Sequence, residues 1–272
     1  MRSEANIRLS GSGLSLSYFH QQVVRDGTIV LRGGEVTALI GPNGSGKSTM
    51  LRALARLHRP DSGQITLDDG QSALDLSAIQ FARRVTLLAQ SRPTPAGVTV
   101  RDVVGYGRHP YRGRFRGNDP DGPAAVAKAM EVTGVATMAD RPVNELSGGE
   151  LQRVWLATCL AQDTGVLLLD EPTTFLDLRY QVEILDLMRD LADHHGVAVG
   201  VVLHDLNQAA AVADHLVLLQ KGSVRASGKP ADVLTPQHLS ETYGIQIDVQ
   251  CESPDGQLTC RAIGRHNLTP TR

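Results

Sequence analysis

Residues 41–49 read Gly41-Pro42-Asn43-Gly44-Ser45-Gly46-Lys47-Ser48-Thr49, a glycine-rich loop between two apolar segments. The five residues before it, 36–40, predict a buried strand, whereas residues 50–57 combine helix-forming side chains with apolar residues three or four positions apart. Glycines let the backbone turn its N–H groups inward around polyphosphate oxygens, and the next helix adds the positive end of its dipole. Lys47 can then reach the β- and γ-phosphates, while Ser48 offers a hydroxyl to Mg²⁺. The sequence therefore predicts a strand, a phosphate-binding loop and a helix.

The composition limits the classes of protein to which the chain can belong. With 272 residues, 41% of them hydrophobic, it is long enough for one large domain or two closely joined ones. A net charge of −2 argues against general affinity for nucleic acid, and three cysteines without metal-ligand spacing predict a reducing compartment without disulfides. The first residues lack the apolar core of a signal peptide, and no apolar run approaches the roughly 20 residues that cross a bilayer. We therefore expect a cytoplasmic protein that reaches a membrane only through a partner.

Short apolar runs before the loop predict antiparallel strands beside it. They cover residues 7–16, 23–24 and 28–31 and are separated by turns that contain Gly or Asp. Tyr18 falls in a predicted connection between two of these strands. An aromatic ring there could stack on a purine base or lie half-buried at a strand edge.

Gln90 follows another predicted strand, residues 84–89. A glutamine where a strand meets a flexible segment can coordinate Mg²⁺ or the attacking water; the alternative is a solvated strand end. A short helix is predicted before this strand, over residues 75–82. Residues 91–122 contain many Pro, Gly and Arg residues, and they predict an exposed, mobile connection interrupted by a short helix at 100–105.

The segment Leu146-Ser147-Gly148-Gly149-Glu150, called the signature segment below, precedes another predicted helix. Ser147 is a favourable N-cap, and the paired glycines allow close approach of a ligand to the backbone. The helix start is therefore a second candidate anion site, or else an ordinary capped helix.

Two carboxylates and a histidine end the next predicted strands. Residues 166–171 are apolar until they reach Asp170 and Glu171, and carboxylates at the end of a buried strand are unfavourable unless a cation or a substrate uses them. Asp170 suits Mg²⁺ bound through water, and Glu171 suits general-base work on a water molecule. His204 follows the strand at 197–203, where it can donate to a γ-phosphate; a buried core histidine is the alternative.

The rest of the chain has clear local signals. An apolar face predicts a helix over residues 178–195 that stops at Gly196. A hairpin is predicted across Lys221-Gly222, followed by two short helices and by a terminal hairpin of residues 245–251 and 258–263.

Taken in order, these segments resemble the ATP-binding subunit of ABC transporters over about residues 5–240. The resemblance implies an ABC ATPase domain over residues 1–244, with the P-loop NTPase α/β fold and an antiparallel β subdomain. It also implies a helical subdomain at about residues 91–160 that carries the signature segment. Residues 245–272 would form a C-terminal hairpin and tail.

The resemblance gives roles to the candidate residues, with ATP and Mg²⁺ as ligands. Tyr18 would stack on adenine, and residues 44–49 would hold the phosphates and Mg²⁺. Asp170 would position Mg²⁺, Glu171 would polarise the attacking water, and His204 would contact the γ-phosphate.

The resemblance also implies a dimer of two copies of this chain. Residues 147–149 would bind the γ-phosphate of the nucleotide held by the opposite protomer, and Asp177 would belong to a loop that crosses the dimer. Two residues depart from the family pattern: Glu150 stands where Gln is usual, and Phe175 stands where a small residue is frequent. Neither change removes a phosphate-binding or catalytic group.

Four segments are similar to the ATPases of ferric-siderophore importers, namely residues 107–113, 170–177, 203–209 and 243–244. Relatives of those systems import haem and cobalamin. The resemblance implies that the homodimer acts at the cytoplasmic face of the membrane, on two permease subunits fed by a solute-binding protein. Gln90 would sense the γ-phosphate, help to bind Mg²⁺ and couple the ATPase to the permease.

A basic cluster of Arg108, Arg112, Arg114 and Arg116 lies in the implied helical subdomain. It would face the permease or acidic lipid, or else form a solvated loop. Two other classes remain open: a soluble ABC ATPase that acts on DNA or ribosomes, and the separate ATPase chain of an exporter. The first is disfavoured because the chain has one cassette and no heptad run.

Overall fold

The computed structural model describes residues 6–19, 21–90, 95–112, 119–251 and 258–264. Their buried side chains form three clusters. One lies on each face of a central sheet, and the third lies among a group of helices.

A three-stranded antiparallel sheet covers one face of the protein. Its strands, in spatial order, are β2 (Gln21–Arg32), β1 (Ile7–Tyr18) and β4 (Ser62–Leu67). In the second half of β2, the alternate residues Gly27, Ile29 and Leu31 are buried, as expected of a sheet with one face on the core. This sheet is the predicted antiparallel β subdomain.

The central sheet has six strands, and every neighbouring pair is parallel except the last. Its strands, from edge to edge, are β5 (Val85–Leu88), β6 (Val166–Asp170), β7 (Ala198–Val202), β3 (Val36–Ile40), β8 (His215–Gln220) and β9 (Ser223–Gly228). Every residue of β3, β6 and β7 is buried, which explains their unbroken apolar sequences. Because parallel strands present their carboxyl ends at one edge, the segments that follow β3, β5, β6 and β7 meet there. The predicted α/β fold is confirmed.

Helices cover the central sheet and form a separate group. Their bounds are α1 (Lys47–Leu54), α2 (Ala78–Ala82), α3 (Val100–Gly105), α4 (Gly122–Val132), α5 (Gly148–Ala161), α6 (Leu178–His195), α7 (Leu206–Val212), α8 (Pro230–Val233) and α9 (Pro236–Tyr243). Helices α3, α4 and α5 share the third buried cluster, so they correspond to the helical subdomain. A terminal hairpin of β10 (Gln246–Cys251) and β11 (Leu258–Ile263) follows α9. None of the described helices is long and apolar enough to cross a membrane.

Predictions that rested on strong local signals are confirmed. Helix α6 spans the predicted residues and ends at Gly196, which has a left-handed backbone. The hairpin turns at Lys221 and Gly222, whose φ angles of 48° and 84° suit a two-residue turn.

Four local predictions are wrong. The helix predicted over 75–82 is interrupted, because Ser77 caps a new helix at Ala78. Strand β2 continues through the predicted turn at Asp26, which adopts a left-handed φ of 49° within the strand. Tyr18 ends β1 instead of lying in the connection. The predicted helix at 100–105 is present as α3, but the exposure predicted for this connection is wrong there, because the valines of α3 are buried in the helical subdomain.

One arginine of the basic cluster, Arg108, is buried and helps to hold the helical subdomain together. The side chain of Arg108 is only 4% exposed, and its guanidinium donates to both carboxylate oxygens of Asp119 at 2.8 and 2.9 Å. The Arg108 guanidinium also donates to the carbonyl of Ala161 at 3.0 Å and lies over the ring of Tyr111. Arg108 therefore neither faces a partner nor extends into solvent, contrary to both predictions. The positions of Arg114 and Arg116 lie outside the described residues.

Replacing Asp119 by Ala should lower the free energy of unfolding by about 3 kcal/mol, because the Arg108 charge would be left buried without its partner. Denaturant unfolding measures the effect. Asp140→Ala is the control, because Asp140 pairs with Arg101 at the surface, and that variant should be nearly unchanged. Equal losses in the two variants would contradict the structural role of Arg108.

Candidate active site

The loop of residues 41–46 connects β3 to α1 and requires glycine at two positions. A Cβ on Gly41, whose φ is 141°, would lie 2.2 Å from the carbonyl oxygen of Leu219. A Cβ on Gly46, whose φ is 103°, would lie 2.9 Å from the side chain of Val24. No side chain caps α1, so the N–H groups of its first turn are available to an anion.

Lys47 is the first residue of α1 and is 5% exposed. Its ammonium donates to the carbonyls of Gly41 and Pro42 at 2.8 and 3.0 Å. Burial lowers its pKa, while the charges of Glu171 and Asp170 act in the opposite direction. The loop therefore holds a positive charge beside its own N–H groups, which suits binding of phosphate oxygens.

Asp170 ends β6 with a fully buried side chain. Neither of its carboxylate oxygens accepts a hydrogen bond from a residue that the structure describes, although Arg52 Nη2 lies 3.2 Å from one of them. A buried carboxylate with unused oxygens suits a cation, and Ser48 adds a hydroxyl in the adjoining loop. The described residues contain no group of three or more His, Cys, Asp or Glu side chains that could hold a metal ion, so a cation here would take further oxygens from water or phosphate. The donor set fits Mg²⁺.

Glu171 is held by residues from two neighbouring strands. Its Oε2 accepts a hydrogen bond from Gln90 Nε2 at 2.6 Å, and its Oε1 lies 2.6 Å from His204 Nε2. The side chain is 13% exposed, and the backbone φ of 56° is unusual for a residue other than glycine. The structure thus brings together the three predicted catalytic residues, which follow β5, β6 and β7.

A cavity of about 380 Å³ joins the phosphate loop to these three residues. Its lining consists of Val23, Asn43, Gly44, Gly46, Lys47, Ser48, Thr49, Gln90, Glu171 and His204. The cavity can thus accommodate a phosphate chain with its terminal group between Lys47 and the Glu171 carboxylate.

Tyr18 is not among the residues that line this cavity. Its ring centroid lies 4.3 Å from that of His58, and the residue is 37% exposed. The neighbouring Phe19 is 99% exposed, which makes it a second aromatic candidate for base stacking. Stacking of Tyr18 on a base remains a prediction.

The signature segment also lies outside the cavity lining. Ser147 caps α5 in a reciprocal arrangement: Ser147 Oγ accepts from the Glu150 amide, and Glu150 Oε2 accepts from the Ser147 amide at 2.8 Å. These hydrogen bonds lower the pKa of Glu150 and explain why Glu can stand at this position. A Cβ on Gly149 would lie 2.3 Å from the ring of Tyr180, whereas the space around Gly148 is open.

Asp177 caps α6, accepting a hydrogen bond from the amide of Tyr180 at 3.1 Å. The preceding loop presents Phe175, which is 97% exposed and has a φ of 65°. Leu178, at the start of α6, is 77% exposed. Phe175 and Leu178 are therefore exposed apolar side chains at the start of α6, the helix whose Tyr180 ring packs against Gly149.

Sequence reasoning missed two residues near the site. Val23 lines the cavity from β2, and Arg52 pairs with Asp170. The position of Arg52 four residues after Ser48 on α1 was an available signal, because such residues share a helix face. No comparable signal existed for Val23.

Comparison with known proteins decides the family. A family described as ABC transporter matches residues 24–174. The chain belongs to this family. It is 42% identical to the ferric enterobactin transport ATP-binding protein FepC of Escherichia coli (strain K12), with 97% of each chain covered. It is 41% identical to the cobalamin import ATP-binding protein BtuD of Halobacterium salinarum, over 92% of this chain and 62% of that protein.

A solved ABC transporter in an inward-facing conformation has the same fold. The TM-score is 0.84 at 26% sequence identity, with 97% of this chain and 100% of the solved chain covered. This chain is therefore an ATP-binding ABC ATPase. A solved bacterial ABC transporter cassette, MJ0796, is dimeric; its TM-score is 0.70 at 25% sequence identity, over 82% of this chain and 98% of that chain.

Proposed function

We propose that this chain is the ATP-hydrolysing motor of a ferric-siderophore importer. The observation that carries the proposal is the similarity to the enterobactin transport protein over 97% of both chains. Two copies would act at the cytoplasmic face of the membrane on two permease subunits, with a solute-binding protein delivering the chelate. ATP hydrolysis would power uptake.

The geometry supports a role for each residue around the cavity. Lys47 and the loop amides would bind the phosphates, with the terminal phosphate facing Glu171. Glu171 would take a proton from the attacking water, since its carboxylate is oriented by Gln90 and His204. His204 would donate to a γ-phosphate oxygen, and Gln90 would link the site to the permease through the segment that follows it.

Asp170, Ser48 and Gln90 would hold Mg²⁺. The ion would neutralise charge on the β- and γ-phosphates. Asp170 suits this role because its buried oxygens accept no hydrogen bond from the described residues.

A second copy of the chain would complete the site. The cavity takes no lining residue from the signature segment, although the start of α5 is a favourable anion site. Residues 147–149 would therefore bind the γ-phosphate held by the other copy. The exposed Phe175 and Leu178 and the Asp177 loop would lie in the contact between the copies.

Cells of the source organism provide the test. With Glu171→Gln as the only copy, uptake of labelled ferric siderophore should fall to background, because the motor would bind ATP without turning it over. Glu131→Gln is the control, since it makes the same chemical change at an exposed position of α4 and should support normal uptake. Labelled cobalamin and labelled haem are measured in parallel.

Cobalamin is the second candidate substrate, favoured by the 41% identity to the cobalamin import protein. Loss of cobalamin or haem uptake with iron uptake intact would transfer the proposal to that substrate. If every uptake persisted in a strain without a redundant ATPase, importer function would be rejected in favour of an exporter or a permease-free ATPase.

A further inference from the structure

The terminal hairpin is attached to the helix that follows His204. Asn207 Oδ1 accepts a hydrogen bond from the Cys260 amide at 2.7 Å, and Asn207 Nδ2 donates to the Cys260 carbonyl at 3.3 Å. A carboxamide carries a donor and an acceptor, so one side chain can pair with both groups of a strand residue. Asn207 thus occupies the edge of β11 opposite β10, where Cys260 is in register with Val249.

Helix α7 is fixed from two directions at its first turn. Asp205 caps it, accepting from the amides of Asn207 and Gln208 at 2.7 and 3.0 Å. Gln208 bonds on the other side to Thr173, at 3.0 Å, and to Gln181, at 2.9 Å. Asn207 and Gln208 therefore hold the start of α7 between the hairpin and the loop that follows Glu171.

The same part of the chain reaches the phosphate loop. Tyr243 ends α9, and its buried hydroxyl lies near the backbone of Gly41 but meets the criteria for a hydrogen bond with none of the described residues. Burial raises the pKa of Tyr243 to about 12, while the Gly41 backbone acts in the opposite direction. Helix α9 and the hairpin are joined by a hydrogen bond from the Ile247 amide to Ser240 Oγ at 2.9 Å. The C-terminal module, defined as α9, β10 and β11, thus contacts segments on both sides of the site.

We propose that Asn207 is a positioning residue for His204. Through its hydrogen bonds to Cys260, it would hold the first turn of α7 against the C-terminal module. Only Asp205 and Leu206 separate His204 from Asn207, and His204 Nε2 lies 2.6 Å from the Glu171 carboxylate. Loss of the Cys260 contacts would loosen the first turn of α7 and widen the range of His204 positions. This inference rests on the proposed role of His204 in hydrolysis.

The test uses Asn207→Ala in the full chain. The kcat for ATP hydrolysis should fall by about threefold to tenfold, the effect of one or two lost hydrogen bonds, while the KM for ATP stays within twofold because Asn207 does not line the cavity. The His204 ring signal, observed by NMR and assigned with His204→Ala, should shift or broaden. Asn207→Asp retains the acceptor for the Cys260 amide and should give a smaller change of the same kind.

Arg225→Ala is the matched control, because it removes a surface pair between Arg225 of β9 and Glu241 of α9, which belongs to the same module. It should leave both kcat and the His204 signal unchanged. An unmoved His204 signal in Asn207→Ala, or a loss of activity that appears in KM alone, would overturn the inference. Failure of the proposed role of His204 is distinguishable, since His204→Ala would then retain full ATPase activity.

Discussion

Replacement of Glu171 by Gln should lower kcat for ATP hydrolysis by about 10²-fold to 10⁴-fold, the range expected when a general base is removed. The amide has nearly the same shape as the carboxylate, but it cannot accept the proton of the attacking water. Lys47 and the loop amides remain in place, so affinity for ATP should be retained. Phosphate release at saturating MgATP measures the first quantity, and equilibrium titration with ATP measures the second.

The same variant also tests the dimer. If ATP closes two copies and hydrolysis reopens them, Glu171→Gln should elute as a dimer with MgATP and as a monomer with MgADP. Wild type should show little of this dimer, because it consumes the nucleotide. Glu131→Gln should behave as wild type in both experiments, since Glu131 is exposed on α4. Near-normal turnover in Glu171→Gln would remove Glu171 from the base role.

The parts of the fold that were predictable have local causes. Gly196 ends α6 because a left-handed residue stops a helix, and the turn at Lys221 and Gly222 has the length that a tight hairpin requires. Buried parallel strands can also be recognised in the sequence, since both of their faces must be apolar. Such signals need no knowledge of what the segment packs against.

The failed predictions depended on tertiary contacts. The helix at residues 100–105 was predicted but its burial was not: proline, glycine and arginine around it typify exposed loops, yet α3 is buried against α4 and α5. Arginine usually lies at the surface, but Arg108 is held in the interior by its hydrogen bonds to Asp119 and to the carbonyl of Ala161. Composition cannot indicate which charged residue finds a buried partner.

The sequence predicted which residues at strand ends belong to the site, but it did not predict how those residues contact one another. Asp170, Glu171 and His204 were assigned because a polar residue at the end of a buried strand calls for an explanation. Their mutual contacts depend on the spatial order β5-β6-β7-β3, which the chain order does not give. The hydrogen bond from Gln90 to Glu171 joins residues 81 positions apart, and the pair formed by Asn207 and Cys260 spans 53.

Replacement of Lys47 by Ala should act on nucleotide binding and not on the base. The ammonium can make charge-assisted hydrogen bonds to two phosphates, and loss of about 3 kcal/mol of interaction would weaken ATP affinity about 100-fold. Equilibrium titration with ATP in the presence of Mg²⁺ measures the change. Lys128→Ala is the control, because Lys128 is exposed on α4 and alanine suits a helix, and it should bind ATP normally.

Unfolding experiments separate this loss of affinity from a loss of structure. Lys47 is 5% exposed, and its described hydrogen-bond partners are the carbonyls of Gly41 and Pro42. Its replacement by Ala removes these two hydrogen bonds, but it also removes the unfavourable free energy of burying a charge. These effects oppose each other, and the free energy of unfolding without nucleotide should change little. At the same concentration, added ATP should raise the stability of wild type much more than that of Lys47→Ala, because stabilisation grows with the ratio of ligand concentration to Kd. Equal stabilisation of both proteins by ATP would show that the loop of residues 41–46 does not bind phosphate through Lys47.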